Sequence, residues 1–227
     1  MTAIDVQQPR ASAPSLGRIR SAARLAWLHL RCRRVPAALV ALAGCGVFLW
    51  ASLAYRWWLG TGPAAAEMPM MMEGCAAAII AVTTYTPLGE TERATGRWLP
   101  TLRLATALAL CGAAIGFLAA GAAVATDPRT GVALFGGVLP VARNVLGMAG
   151  IGLLCSLATG GLLAWVGPLA FMAVSQFALI ANHSWPWTWP ARPPTDRGGW
   201  IAAMAILAVA LIAYTIRGPR VTPSDNV

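Results

Sequence analysis

Residues 35–55 read VPAALVALAGCGVFLWASLAY, and no charged side chain interrupts them. A helix needs roughly 20 apolar residues to cross the hydrocarbon core of a bilayer, so this stretch is long enough to span a membrane. Pro36 suits the first turn of such a helix, because its missing N–H would have no partner there. Tyr55, Trp57 and Trp58 follow, and these residue types lie at the headgroup level. The stretch therefore predicts a transmembrane helix.

The rest of the chain has the same character. Of its 227 residues, 58% are hydrophobic and 11% are charged, which leaves too little polar surface to coat a water-soluble globule. Further apolar stretches lie at about 73–88, 102–124, 143–159, 162–181 and 200–216. We therefore expect an all-α polytopic membrane protein whose transmembrane domain, residues 35–216, contains about six helices.

One apolar region is longer than a single crossing requires. It extends from 132 to 159 and carries Pro140 and Arg143. We expect a short re-entrant or interfacial piece there, followed by the crossing at about 143–159. The next two residues, Gly160 and Gly161, predict a tight turn.

The N-terminal residues divide into two segments. Residues 1–14 are polar and interrupted by proline, which predicts a disordered cytoplasmic tail without a cleaved signal peptide. In 15–34, apolar residues recur at steps of three and four, so we expect an amphipathic helix in the membrane interface with its arginines near lipid headgroups. A simple extension of the first span is the alternative.

The distribution of arginines predicts the orientation. The chain has 17 basic residues, all arginine, and a net charge of +9. With the N-terminus inside, 12 of the 17 face the cytoplasm, as expected for a multi-pass protein of the cell membrane. Both termini, including the tail 217–227, are then cytoplasmic, and the outer loops are 57–72, 125–142 and 182–199. Because the arginines form no continuous patch, nucleic acid is not an expected partner.

The polar segment between the second and third spans carries the most information. Glu90, Arg93 and Arg97 lie three and four residues apart and can share one helix face. Gly96 would let a partner backbone approach closely. We expect a short helix at about 91–98, parallel to the membrane, within a cytoplasmic segment 89–101. An ordinary solvated loop is the alternative.

An interfacial N-terminal helix, six spans and an E-R-x-x-G pattern at Glu92, Arg93 and Gly96 together resemble the permease subunit of an ABC-2-type transporter. The resemblance implies that 89–101 is a coupling segment that docks onto an ABC ATPase. The contact residues it implies are Glu90, Glu92, Arg93, Gly96 and Arg97. It further implies a second permease copy, identical or not, and ATP with magnesium on the ATPase.

The predicted function is therefore the transmembrane subunit of an ATP-driven exporter. The chain has no GxxxxGK[ST] pattern, so ATP hydrolysis is expected on a separate subunit and no cofactor on this one. No Ser/His/Asp set or paired carboxylates suggest an enzyme. A non-transporting assembly partner in the membrane stays open as an alternative.

A methionine run suggests a further alternative. The run comprises Met68, Met70, Met71 and Met72 and lies in a predicted outer segment. Because thioethers are good ligands for Cu(I), a membrane protein that handles copper is the second alternative. Methionines also serve as a flexible hydrophobic surface, and Pro69 argues against a rigid ligand cage. We expect no metal site here.

Two polar patches lie within apolar spans. One comprises Thr83, Thr84 and Tyr85, and the other Ser175 and Gln176. They could line a translocation path, although such hydroxyls also bond to their own helix backbone. The single cysteines inside spans, such as Cys45, Cys111 and Cys155, are expected to be small buried hydrophobes without disulfides.

Overall fold

The computed structural model describes residues 27, 30–31, 33–55, 64–83, 99–123, 137–181, 185, 187–193 and 195–217. These ranges contain six α-helices with defined bounds and no strand, so the predicted all-α class is confirmed. The helices are α1 (Val35–Ala54), α2 (Ala64–Val82), α3 (Leu99–Ala122), α4 (Val138–Thr159), α5 (Val166–Ile180) and α6 (Arg197–Arg217). Two short 3-10 helices, Gly161–Leu163 and Trp189–Ala191, precede α5 and α6.

Among the described residues, five segments are long and apolar enough to cross a membrane, which makes the protein a multi-pass membrane protein. They are Val35–Ala54, Pro100–Ala122, Val138–Thr159, Gly161–Ala178 and Arg197–Arg217. The apolar part of α2, Met68–Val82, is shorter than these.

The start of α2 differs from the sequence-based expectation. The helix begins at Ala64 rather than near Glu73, so the expected outer loop 57–72 is wrong for 64–72. The residues there are mainly Ala, Met and Glu, which are strong helix formers. Their combined preference outweighs the backbone hydrogen bond that Pro69 gives up inside the helix.

α4 is one uninterrupted helix from Val138, so the expected re-entrant or interfacial piece before residue 143 is wrong for 138–142, and 132–136 lie outside the described residues. Pro140 lies in the first turn, where its missing N–H has no partner to lose. The expected outer loop 125–142 is accordingly wrong for 138–142. The tight turn after α4 is confirmed, because Gly160 ends the helix with a φ of 91°, which favours glycine.

The segments predicted to lie in the cytoplasm are described only in part. α3 begins at Leu99, so the last three residues of the segment 89–101 are helical rather than a connection. Trp27, Leu30 and Arg31 are helical and Arg33 and Arg34 form a turn, whereas the other residues of the expected interfacial helix lie outside the described residues. Arg34 has a left-handed φ of 55°, which interrupts a right-handed helix, so this part is not a plain extension of α1.

α4 is the central helix of the bundle. Of the residues in its apolar window, 56% are buried, against 28 to 33% for the other four candidate spans. It packs most extensively on α6 and also on α2, α5 and α3, whereas α1 packs on α3 and α2. Side chains from the first four helices form the main core, which includes Leu42, Ile80, Leu118 and Val145. Large apolar side chains such as Phe177 and Ile201 are exposed instead, as expected of a lipid-facing surface.

Glycines allow the closest helix contacts. In the parallel pair α4 and α6, a Cβ on Gly150 would lie 2.9 Å from the Cα of Leu207. Between α1 and α3, Gly121 faces the backbone oxygen of Gly46, and any side chain there would separate the two helices. Small residues at interfaces are the usual means of helix packing in lipid, where van der Waals contact replaces the hydrophobic effect.

The bundle has two distinct ends. The side chain of Arg33, just before α1, donates a hydrogen bond to the hydroxyl of Tyr214 near the end of α6, with an N–O distance of 2.6 Å. The start of α1 and the end of α6 therefore lie at the same end of the bundle, which we call the Arg33 end. The opposite end, where α4 and α6 begin, is called the Arg143 end.

The four cysteines that the structure describes, Cys45, Cys75, Cys111 and Cys155, are free thiols. Cys111 is buried and the other three are half-buried. Cys111 is thus buried as expected, whereas Cys45 and Cys155 are less buried than expected.

Candidate functional site

Arg143 occupies the second turn of α4 and is completely buried. Its Nη1 donates to the carbonyl oxygen of Pro193 at 2.8 Å, and its Nη2 donates to that of Arg192 at 3.0 Å. Its Nε donates to Oδ1 of Asn144 at 3.2 Å. Bonds from a charged donor are stronger than neutral ones, so the guanidinium fastens the 192–193 backbone to the central helix.

Asn144 continues this network to α2. Its Nδ2 donates to Oε2 of Glu73 at 2.8 Å, across 71 positions of sequence. Glu73 and Asn144 are both buried, so an amide connects two ionisable groups that lie inside the helix bundle. Ionisable residues at membrane depth are costly and usually belong to a functional or strongly stabilised cluster.

Trp189 covers this network. It is 2% exposed, lies in the short 3-10 helix before α6, and stacks on Phe171 of α5 with ring centroids 4.4 Å apart. The ring reaches α4 at Gly147, where a Cβ would be only 2.8 Å from its Cζ2 atom. Trp185 and Trp187 are about half exposed, as interfacial anchors would be. Trp189 is buried and is not such an anchor.

Asp196 completes the cluster from the start of α6. Its Oδ2 accepts a hydrogen bond from the backbone N–H of Gly199 at 2.7 Å, so Asp196 is the N-cap of α6. The same oxygen accepts a hydrogen bond from Nη1 of Arg192 at 2.9 Å. The hydrogen bond from Arg192, followed by that from Gly199, lowers the pKa of Asp196 below its ordinary value. Asp196 thus stabilises the helix start and orders the 192–196 segment that receives Arg143.

We call Glu73, Arg143, Asn144, Trp189 and Asp196 the Arg143 cluster. Arg143 and Asn144 direct their donors to acceptors inside the bundle, whereas Nε1 of Trp189 is buried without a hydrogen-bond partner. This arrangement holds α2, α4 and the start of α6 in fixed register.

A second polar group lies at the Arg33 end. Arg33, Tyr214 and Arg103 of α3 are all buried around a very small void, which Thr83 and Thr106 also line. Thr83 is the last described residue after α2, and Arg103 lies one turn into α3. The two helices that flank 84–98 therefore meet beside two buried arginines.

The residues predicted to couple to an ATPase, Glu90, Glu92, Arg93, Gly96 and Arg97, lie outside the described residues. Thr84 and Tyr85 of the predicted path also lie outside them.

The described members of the predicted translocation path are not brought together in one site. The hydroxyl of Thr83 donates to the carbonyl oxygen of Ile80 at 2.6 Å, within its own helix. Ser175 of α5 is fully buried and its Oγ has no hydrogen-bond partner. Thr83 lines a groove at the Arg33 end, but Ser175 and Gln176 do not belong to that lining. A path through these residues stays a prediction.

The methionine run is part of the protein interior. Met68 and Met70 are 7% and 3% exposed, and Met70 packs with Ala77, Met148 and neighbouring side chains of α5. Met71 and Met72 are half-buried. The interpretation of these methionines as a flexible hydrophobic surface is therefore wrong for this helical segment. Within the described part of the chain, no group of three His, Cys, Asp or Glu side chains could hold a metal ion.

The sequence signalled the Arg143 cluster only partly. Arg143 stood out as an ionisable group in an apolar region, but Glu73 looked like the beginning of a span. Two opposite charges in separate apolar stretches predict that the two side chains lie close together, because each charge needs a partner inside the membrane. No local pattern indicated that Asn144 would connect them or that Trp189 would cover them.

Similarity to known proteins does not assign a family to this chain. It matches no protein-family model, no curated protein and no solved structure.

Proposed function

We propose that this chain is the transmembrane subunit of an ATP-driven ABC exporter. One observation carries the proposal: the end of α2 and the start of α3, which the segment 84–98 connects, lie beside Arg33, Arg103 and Tyr214, where the first and last spans also meet. This segment contains Glu92, Arg93 and Gly96, the residues of the coupling pattern. An ATPase that binds it would push directly on two spans.

The structure offers a mechanical route from that segment into the bundle. α2 extends from the segment to Glu73, and Glu73 is held to the central helix through Asn144. A displacement of the α2 end would therefore act on α4 and, through Arg143, on the 192–193 backbone. A rigid helix joined to a hydrogen-bonded cluster can transmit such a displacement, whereas a solvated loop alone could not.

The charge distribution supports a cytoplasmic Arg33 end. Arg33, Arg34, Arg103 and Arg217 belong to this end, and loops rich in arginine stay in the cytoplasm. In this proposal both termini and the ATPase are on that side, and the Arg143 end faces outward. The partners are an ABC ATPase that binds ATP and magnesium, a second permease copy and the lipid of the cell membrane.

The alternatives predict different behaviour. Met68 and Met70 pack as core side chains, which favours a structural role over copper handling. An assembly partner would need no ATPase at all. Co-purification of an ATPase that depends on 84–98 would therefore favour the exporter over both.

Two variants test the coupling segment. Gly96→Trp should block ATPase docking by bulk, since a partner backbone is expected to come close there. Glu92→Arg should weaken docking by reversing charge, costing about 2 kcal/mol or roughly a 30-fold loss of affinity. The measurements are co-purification of the ATPase subunit and stimulation of its activity.

Gly131→Trp is the matched control, because it adds the same bulk in the predicted outer loop. It should leave ATPase binding unchanged. If Gly96→Trp and Glu92→Arg both retain full ATPase binding and stimulation, 84–98 does not couple to an ATPase and the exporter proposal fails.

A further inference from the structure

A lateral groove opens at the Arg33 end between α1, α2 and the beginning of α5. Its volume is about 450 Å³, within the roughly 300–1,000 Å³ typical of small-molecule sites. Small side chains form much of its floor, including Ala37 and Ala41 of α1 and Ala78 of α2. Larger apolar side chains, Trp165 and Leu169, form the opposite wall. The groove is thus a narrow apolar trench on a lipid-exposed face.

The polar lining is confined to one end of this trench. Arg33 and Arg34 lie at its mouth, and the remaining polar residue, Thr83, uses its hydroxyl on its own helix. Arg33 is oriented by its hydrogen bond to Tyr214. Arg34 is exposed and is the only non-glycine residue with positive φ that the structure describes. Two adjacent cations therefore stand where the apolar wall of α1 begins.

The start of α1 adds a second positive feature. Arg34 is its N-cap residue and makes no side-chain capping bond. The first N–H groups of any α-helix have no acceptor in a preceding turn, and they carry the positive end of the helix dipole. Ala37, whose N–H belongs to this first turn, lines the groove. A phosphate at this position would receive both guanidinium and backbone N–H donors.

The charge and shape together select an amphiphile. A neutral apolar ligand would make no ionic contact with Arg33 and Arg34, and a free anion would make no contact with the apolar trench. A molecule with an anionic head and an acyl chain fits both, and basic pockets between transmembrane helices on the cytoplasmic side commonly hold such heads. The arginines also lie just before the apolar run of α1, which is the level of lipid headgroups.

We propose that an anionic phospholipid binds this groove, with its phosphate against Arg34 and the first turn of α1 and one acyl chain along Ala41 and Ala78. This site does not depend on an ATPase or on the exporter proposal.

The test compares two lipids on the purified full-length chain. The chain is placed in nanodiscs of phosphatidylcholine containing a small fraction of phosphatidylglycerol, extracted gently, and the retained lipid is identified by native mass spectrometry. Phosphatidylglycerol should be retained in preference to phosphatidylcholine. Arg34→Gln should weaken this retention about tenfold, because it removes a charged donor to phosphate. Ala41→Phe should abolish it by filling the trench.

The matched controls introduce the same two side chains, Gln and Phe, outside the groove. Arg217→Gln removes an exposed arginine near the end of α6, and Val40→Phe enlarges an exposed side chain that does not line the groove. Both should retain phosphatidylglycerol as the unaltered chain does. Equal retention of the two lipids, or the same loss in Arg217→Gln as in Arg34→Gln, would overturn the proposal. Displacement of the lipid by inorganic phosphate alone would indicate a simple anion site instead.

A photo-crosslinking amino acid in place of Trp165, which already has a large side chain and lines the groove, identifies the occupant directly. A lipid adduct supports the proposal. A crosslink to a peptide from 1–26 of the same chain, or to a second copy, would overturn it by identifying a protein occupant. Because this readout requires no ATPase, its failure is distinguishable from failure of the exporter proposal.

Discussion

Both ends of the helix bundle bury arginine, but Arg143 at one end and Arg33 at the other are used differently. Arg143 has all three kinds of guanidinium nitrogen engaged with acceptors 2.8 to 3.2 Å away, and Trp189 closes the space above it. Arg33 donates to the hydroxyl of Tyr214 and lies beside an open groove. The same residue type therefore seals one end of the bundle and lines a surface at the other.

Physical chemistry explains why the sealed end needs a complete network. A buried cation is tolerated when its donors are satisfied, and non-helical backbone near the membrane is tolerated when its carbonyls are satisfied. Arg143 meets both requirements at once, because it donates to the carbonyls of Arg192 and Pro193. The difference between the ends leads to three predictions about stability.

The largest effect should follow from Arg143→Leu. This change leaves two backbone carbonyls and Asn144 without their donor and leaves Glu73 without a nearby cation. Removing one partner from a buried ionic cluster costs about 3 to 5 kcal/mol. The measurement is the free energy of unfolding in mixed micelles titrated with a denaturing detergent.

Two further variants provide a comparison for Arg143→Leu. Arg197→Leu removes an exposed arginine from the same region and should change the free energy of unfolding by no more than about 0.5 kcal/mol. Tyr214→Phe removes one hydroxyl at the other end and should cost about 1 kcal/mol. If Tyr214→Phe were as costly as Arg143→Leu, the two ends would not differ in the way described.

A smaller loss should come from Gly147→Ala, which tests the seal itself. The new Cβ would lie 2.8 Å from Trp189 and 3.0 Å from Ala203, so the ring must shift from its stack on Phe171. Overpacking of this kind costs about 1 to 3 kcal/mol, and the free energy of unfolding is again the measurement. Gly116→Ala in α3 is the control, because nothing lies within 4 Å of its Cβ. An equal effect of both substitutions would show that Trp189 is not tightly seated.

Much of the fold could be predicted from the sequence, because the length of an apolar run determines whether a helix can cross a bilayer. The boundaries were less predictable. Pro140 looked like a break but lies in a first turn, and the run from Ala64 to Met72 looked like a loop although its residues favour helix. In both cases the local signal depended on a helix start that the sequence does not mark.

The candidate site could be predicted only as single residues. Arg143 was identifiable, but its bond partners Arg192 and Pro193 lie 49 and 50 positions away and act through backbone oxygens. Carbonyl oxygens have no sequence signature, so no pattern of residue types could have located them. The burial of Trp189 depends on Gly147 of another helix, which is likewise a property of packing.

The smallest predicted effect concerns Asp196, whose ionisation makes the stability of the Arg143 end depend on pH. Hydrogen bonds from Arg192 and then from the N–H of Gly199 lower the pKa of Asp196, so its ionised form stabilises the folded state. That contribution is present above the ordinary carboxyl pKa of about 3.9 and is lost as the pH falls through the lowered value. Asp196→Asn keeps the N-cap, since asparagine caps helices about equally well, but removes the charge.

The melting temperature of Asp196→Asn should therefore lie slightly below that of the unaltered chain by a constant amount between pH 7 and pH 5. The gap should shrink below about pH 4, because the unaltered chain then loses its ionised carboxylate as well. Asp225→Asn, in the predicted C-terminal tail, is the control and should give no gap at any pH. A gap that persists or widens under acid conditions would mean that the charge of Asp196 does not stabilise the start of α6. The sealing of the Arg143 end would then rest on Arg143 and Trp189 alone.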